Sequence, residues 1–232
     1  MDSVTEVLKG KKIIVVQLAS ENPHKVSATC NAVHQFCLAV HQFCLRNGVN
    51  NSYDKTDKNQ TLMVTMVKPL HVVSRDSSSS SSSQPIGWIT TLCDAANCVI
   101  NCRDRDVQLC GGYNREDVAL FTVAVENGIV RGSELELEPK DDFFDVTAVC
   151  VWNHELSTSG IARGKPLLLP RHMFVDEPST TADNLAEYRK FITPLLDQRA
   201  DIYHKFSKGR LTREGVMSAA IHKALDNSFK AA

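Results

Sequence analysis

The stretch Ile13-Ile-Val-Val-Gln-Leu-Ala-Ser-Glu-Asn-Pro-His-Lys25 reads as a buried strand, a tight polar turn and the first turn of a helix. Ile13 to Val16 are apolar and β-branched, as a strand covered on both faces requires. Asn22 is placed to cap the helix, and Pro23 fits its first position, where a missing N–H costs nothing. Backbone N–H groups at such an end attract anions, and Lys25 adds a full positive charge one turn in. Together these groups form a candidate phosphate cradle. The plainer alternative is a capped helix that carries a surface lysine, since short motifs recur by chance.

Working outward, residues 23–46 predict one amphipathic helix. Val26, Cys30, Val33, Cys37, Val40 and Cys44 recur at steps of three or four. Inside it lies a tandem copy, Ala32-Val-His-Gln-Phe-Cys-Leu38 followed by Ala39-Val-His-Gln-Phe-Cys-Leu45. Seven residues nearly preserve helical phase, so the copy should lengthen the helix by about two turns. His34 and His41 share a face but are too far apart to share a metal. Residues 47–60 are polar and read as a loop. Leu62 to Val67 and Leu70 to Val73 are strand candidates. Ser77 to Ser83 is an unbroken serine run that cannot bury apolar surface. Residues 47–60 and 74–83 are therefore taken as mobile loop insertions.

A second helix is expected from about 89 to 105. Leu120 to Val125 predicts a short strand ending at Glu126, with Asn127-Gly128 as a hairpin turn. Ile129 onward, through the alternating Glu134-Leu-Glu-Leu-Glu138, predicts the next strand. Phe143 to Trp152 is another strand, with Ile161 to Leu169 its partner. Residues 179–200 carry one or two helices, and Thr212 caps a final helix running to about Phe229. The order β-α-β-loop-α-β-β-β-β-α-α mixes crossovers with hairpins. It predicts one α/β domain over residues 1–232, built on a mixed sheet flanked by helices.

Composition narrows the function classes. The chain has 232 residues, 43% hydrophobic and 23% charged, with a formal net charge of −1. That balance gives no bulk attraction to nucleic acid or to anionic membranes. No apolar run reaches the roughly twenty residues of a membrane-spanning helix. The N-terminus lacks a basic and apolar leader pattern. A soluble, cytoplasmic protein with no nucleic-acid or membrane partner is the expectation. The eight cysteines contain no Cys-x-x-Cys pair. Free thiols in a reducing compartment are expected, rather than zinc or disulfides.

Among residues that could carry chemistry, the familiar phosphate-loop, dinucleotide and nucleophile-elbow motifs are absent. Phosphate binding therefore rests on the Asn22–Lys25 turn and other basic groups. Glu126 is a carboxylate at the end of an apolar strand, costly to bury unless paired, hydrogen-bonded or bound to metal. Beside a phosphate site the natural partner is Mg²⁺, commonly held by one or two carboxylates plus substrate phosphates. The alternative is a turn carboxylate facing water. Lys205, Lys208, Arg210 and Arg213 form a basic cluster. Arg213 falls in the first turn of the last helix, a poor place for a cation unless an anion is near.

These pieces resemble a family. Ser20-Glu-Asn-Pro-His-Lys25 resembles the Ser-x-Asn-Pro-x-Lys turn of the inosine/xanthosine triphosphatases. Gln84-Pro-Ile-Gly87, with Thr91, Ala95 and Asn97, is similar to that family's Gln-Pro-x-Gly segment. Val123-Ala-Val-Glu-Asn-Gly128 resembles its Gly-Ile-Glu-Gly-Gly strand end. Arg163-Gly164 through Leu169-Pro170 resembles its strand ending in Leu-Pro. Gly209-Arg-Leu-Thr-Arg213, followed by Ala220 and Ala224-Leu225, resembles its last helix start. The blocks occur in the same order over nearly the whole chain.

The resemblance implies an elongated α/β fold of the inosine triphosphate pyrophosphatase type, with two lobes around a cleft, and a homodimer. It implies Mg²⁺- or Mn²⁺-dependent hydrolysis of ITP and XTP to diphosphates, cleaning the nucleotide pool. By position, Lys25 and Glu126 would be catalytic. Ser20, Asn22, Lys25, Gln84, Lys208 and Arg213 would contact phosphate or nucleotide. Glu126 would hold the metal, with Asp94 as a second carboxylate, because the family glutamate falls at Thr90 and Asp94 lies one helical turn on. Other departures are Ala124 and Asn127 beside Glu126, and Met217 in place of a tyrosine. Four readings remain open: hydrolysis to diphosphate and phosphate, release of pyrophosphate to leave the monophosphate, a catalytically impaired member that binds nucleotide or a protein partner, and a structural or regulatory α/β protein whose matches are scaffold only.

Overall fold

The computed structural model describes residues 4, 7, 8, 11, 13–46, 63–67, 85–103, 114–170 and 201–230. The elements run β1 (Ile13–Leu18), α1 (Pro23–Arg46), β2 (Met63–Val67), α2 (Trp88–Arg103), β3 (Val118–Arg131), β4 (Phe143–Asn153), β5 (Thr158–Arg163), β6 (Leu167–Leu168), α3 (Ile202–Phe206) and α4 (Arg213–Ser228). The fold is α/β, a mixed sheet flanked by helices, in the strand order β2-β1-β3-β4-β5, with β6 also on β4. β1 is parallel to both β2 and β3, and the β3, β4 and β5 neighbours are antiparallel. Strand candidate 70–73, the helices expected in 179–200 and both loop insertions lie outside the described residues.

Alternation along β3 separates two faces, as a period of two requires. Ala119, Phe121, Val123 and Val125 join Ile14, Val16 and Leu18 under α1 and α4. Ala124 of β3, with Ala148 and Cys150 of β4, meets Ala95 and Val99 of α2 on the opposite face. α1 is continuous through the duplicated heptad. The first copy buries Val33 and Phe36, and the second buries Val40. Phe36 stacks on Phe229 at 5.7 Å between ring centres, which ties α1 to the end of α4.

Two expectations are corrected. Asn127-Gly128 is not a hairpin turn, because β3 passes straight through it from Val118 to Arg131. Asn127 is buried with its amide held by Asp145 and Thr147 across the sheet. At Gly128, Thr91 of α2 occupies the space that a Cβ would need. Tertiary packing on both faces overrides the local turn signal. Residues 132–135 form a short 3₁₀ turn rather than a strand. The Glu134 carboxylate folds back to accept from Trp88 N–H at 3.0 Å and Arg131 N–H at 3.4 Å. The expected strand 161–169 is two strands, β5 and β6, both paired with β4.

Candidate functional site

β1 ends at Leu18, paired with Val123, and Ala19 N–H closes the ladder on Val123 C=O at 2.9 Å. Farther along the same edge of β3, Pro85 C=O and Gly87 N–H bond Ile129. Among the described residues, 124–128 lack a partner on that edge. The gap opens at the carboxyl end of β1, the end of a parallel strand where open α/β sheets bind ligands. Glu126 stands at its centre. Glu126 therefore does not terminate its strand as expected; it lies mid-strand, and it is the neighbour, β1, that terminates.

The turn after β1 forms the expected cap. Asn22 Oδ1 accepts from His24 N–H at 2.9 Å and from Lys25 N–H at 3.4 Å, and Ser20 Oγ accepts from Asn22 N–H at 3.2 Å. Val26 N–H reaches Asn22 C=O, and Pro23 has no N–H. The cap thus uses most of the donors that the sequence offered to an anion. Only the long Lys25 bond is weak enough to yield readily. Attraction for phosphate at this turn rests chiefly on the Lys25 ammonium.

That ammonium lies 3.3 Å from Glu126 Oε2, across 101 residues of sequence. The side chains are 17% and 26% exposed, so the pair is mostly buried but reachable from solvent. Cys98 of α2 donates its thiol to Glu126 Oε1 at 3.8 Å. Asp94, half-buried, is one turn before Cys98 on the same helix. Among the described residues, no three or more His, Cys, Asp or Glu side chains cluster closely enough to hold a metal. A metal cage made wholly of protein ligands therefore does not fit here. One carboxylate completed by substrate phosphates does fit, as Mg²⁺ commonly accepts.

Arg213 opens α4. Its neighbour Glu214 accepts from Ser27 Oγ at 2.6 Å and Asn31 Nδ2 at 2.7 Å, docking the first turn of α4 against the first turns of α1. Arg213 N–H donates to Asp201 Oδ2 at 2.9 Å. Lys208 is exposed in a left-handed turn residue (φ 55°), and nothing among the described residues ties it to the pair. Gln84 lies outside the described residues. Thr90, where the family glutamate would fall, is exposed on α2.

Sequence reasoning missed a buried polar cluster beside Asn127. Asp145 of β4, 1% exposed, accepts from Tyr203 Oη at 2.9 Å and Asn127 Nδ2 at 3.3 Å. Asn127 also donates to Thr147 Oγ1 at 3.0 Å. Burial, and next the Asp145 charge, push the Tyr203 hydroxyl pKa well above its ordinary value. The signal was present: Asp145, like Glu126, is a carboxylate within an apolar strand. A separate groove of about 410 Å³ runs between α4 and the β5–β6 connection, bordered by Arg163, Lys165, Arg210 and Lys223. It does not include Lys25, Glu126 or Arg213.

No protein-family model matches the chain, and no curated protein matches it. Among solved structures the chain is similar to protein VC0702 from Vibrio cholerae, at 19% identity and a TM-score of 0.48. The alignment covers 91% of this chain and 93% of that one. No helix among the described residues is long and apolar enough to cross a membrane.

Proposed function

We propose that the chain hydrolyses a phosphoric anhydride bond of a purine nucleoside triphosphate, ITP or XTP, to diphosphate and phosphate. The reading is carried by one observation: Lys25 and Glu126, which the family motifs single out separately, lie 3.3 Å apart at the open carboxyl end of β1. Glu126 would hold Mg²⁺ or Mn²⁺ together with phosphate oxygens, and the bound ion would polarise the phosphoryl group and lower the pKa of a coordinated water. Lys25 leaves Glu126 to meet the triphosphate and neutralises part of its charge. Asn22 keeps its amide NH₂ for a phosphate oxygen while its carbonyl oxygen caps α1. Arg213 approaches from the start of α4, where an anionic ligand relieves its unfavourable position near the helix N-terminus. A cytoplasmic homodimer accompanies this reading.

A second reading has its own support. Thr90 replaces the family glutamate, and among the described residues Glu126 is the carboxylate that pairs with Lys25. A chain so reduced would bind nucleotide, or a protein partner, without turnover. One experiment separates the readings: release of phosphate and of pyrophosphate from ITP, XTP, GTP and ATP, with Mg²⁺ and with EDTA. Phosphate release from ITP or XTP that EDTA abolishes, and that Glu126→Gln lowers at least about tenfold, supports the enzyme. Binding of ITP without release supports the binder. Release of pyrophosphate moves the cleaved bond to the sister position. Absence of both binding and release overturns the proposal.

A further inference from the structure

We propose that Asp145 is a positioning residue for Arg213, acting through Tyr203 and Asp201 to fix the backbone that carries this cation at the start of α4; the inference rests on the nucleotide reading above. The bonds form one chain. Asn127, next to Glu126 on β3, donates to Asp145 Oδ1 at 3.3 Å, and Tyr203 Oη donates to the same oxygen at 2.9 Å. Tyr203 N–H donates to Asp201 Oδ1 at 2.9 Å, and Arg213 N–H to Asp201 Oδ2 at 2.9 Å. One carboxylate thus joins the first turn of α3 to the first residue of α4, and a second anchors α3 to the sheet beside Glu126.

Packing alone does not call for this arrangement. A buried carboxylate is costly, and apolar residues of similar volume often serve a core as well or better. Here the carboxylate is 1% exposed and Tyr203 is fully buried. What hydrogen bonds add is direction, because the tyrosine hydroxyl has one proton and must aim it. Arg213 also needs holding: a cation in the first turn of α4 is opposed by the helix dipole. The bond to Arg213 is made by its backbone N–H, so the chain of bonds fixes where this residue starts α4.

The test is a double-mutant cycle on kcat/KM and Kd for ITP with Mg²⁺, using the full chain. Tyr203→Phe removes the hydroxyl and little else. If Asp145 acts through Arg213, Tyr203→Phe lowers kcat/KM or ITP affinity about fivefold or more with Arg213 present, and less than about twofold in Arg213→Ala. Equal fold-losses in both backgrounds, or no loss with Arg213 present, overturn the inference, since a merely structural role would be additive. Asp201→Asn breaks the chain at another bond and must show the same dependence on Arg213, so a poorly folding Tyr203→Phe leaves the test intact. Native protein that neither binds nor hydrolyses any of the four triphosphates overturns the nucleotide reading itself. Additivity in an active protein overturns only this inference.

Discussion

Replacing Lys25 with glutamine should strengthen divalent-ion binding while weakening nucleotide binding. At the observed 3.3 Å, a unit pair attracts by about 5 kcal/mol at an effective dielectric near 20, and by about 1.3 kcal/mol in bulk water. The side chains are 17% and 26% exposed, which places the pair between those limits, and desolvation offsets part of the gain. A net of about 1–2 kcal/mol is what an incoming ion must overcome to draw Glu126 away, since ion pairs return only part of their gross attraction. Lys25→Gln removes that competitor. Mn²⁺ affinity in the absence of nucleotide should rise about tenfold, the factor that corresponds to about 1.4 kcal/mol. ITP affinity in the presence of Mg²⁺ should fall. Calorimetric titration of Mn²⁺ into native protein and Lys25→Gln at low salt measures the first effect, and 1 M salt should shrink the difference by screening. Unchanged or weaker Mn²⁺ binding in a folded Lys25→Gln protein would show that Glu126 is not the ion's carboxylate.

Two further predictions concern stability. Burial opposes ionisation at Glu155, but hydrogen bonds from Lys11 and Arg115, both at 2.8 Å, outweigh it and leave the pKa below its ordinary 4.5. A carboxyl lowered by folding stabilises above its unfolded pKa, and that contribution fades as pH falls through the folded value. Glu155→Gln should therefore lower Tm at pH 7, with the gap to native protein closing as pH falls from the ordinary 4.5 through the lowered folded value; a gap independent of pH would refute the assignment. Gly160→Ala should destabilise by about 1–3 kcal/mol or more, because the new Cβ meets the Ala224 carbonyl and, at 2.5 Å, the Ser228 nitrogen, both backbone atoms of α4. An unshifted urea midpoint would contradict that contact.

Local chemistry made much of the fold legible. The Asn-Pro cap and the apolar rhythm of 23–46 mark α1 to the residue, and Thr212 marks the start of α4. What misled was turn chemistry in a buried context. Asn127-Gly128 carries the composition of a hairpin, yet its asparagine is satisfied by Asp145 and Thr147, and its glycine makes room for Thr91. The alternation of 134–138 resembles a strand, but the Glu134 carboxylate closes a 3₁₀ turn instead. At the site, Lys25 and Glu126 were each legible as unusual side chains in their own segments. The donor shortage at α1 was not, because the cap that identifies the helix also consumes its N–H groups. Asp145 was legible as a carboxylate within an apolar strand, but its pairing with Tyr203 was not, because 58 residues separate the two.

The central claim is that Lys25 and Glu126 grip one triphosphate through a shared divalent ion. Its most direct measurement is ³¹P relaxation of ITP by protein-bound Mn²⁺. The account predicts strong broadening of the β and γ resonances with native protein, and loss of that broadening with Glu126→Gln. Equal broadening with native protein and Glu126→Gln, or ITP binding that neither Mn²⁺ nor Lys25→Gln alters, would contradict it.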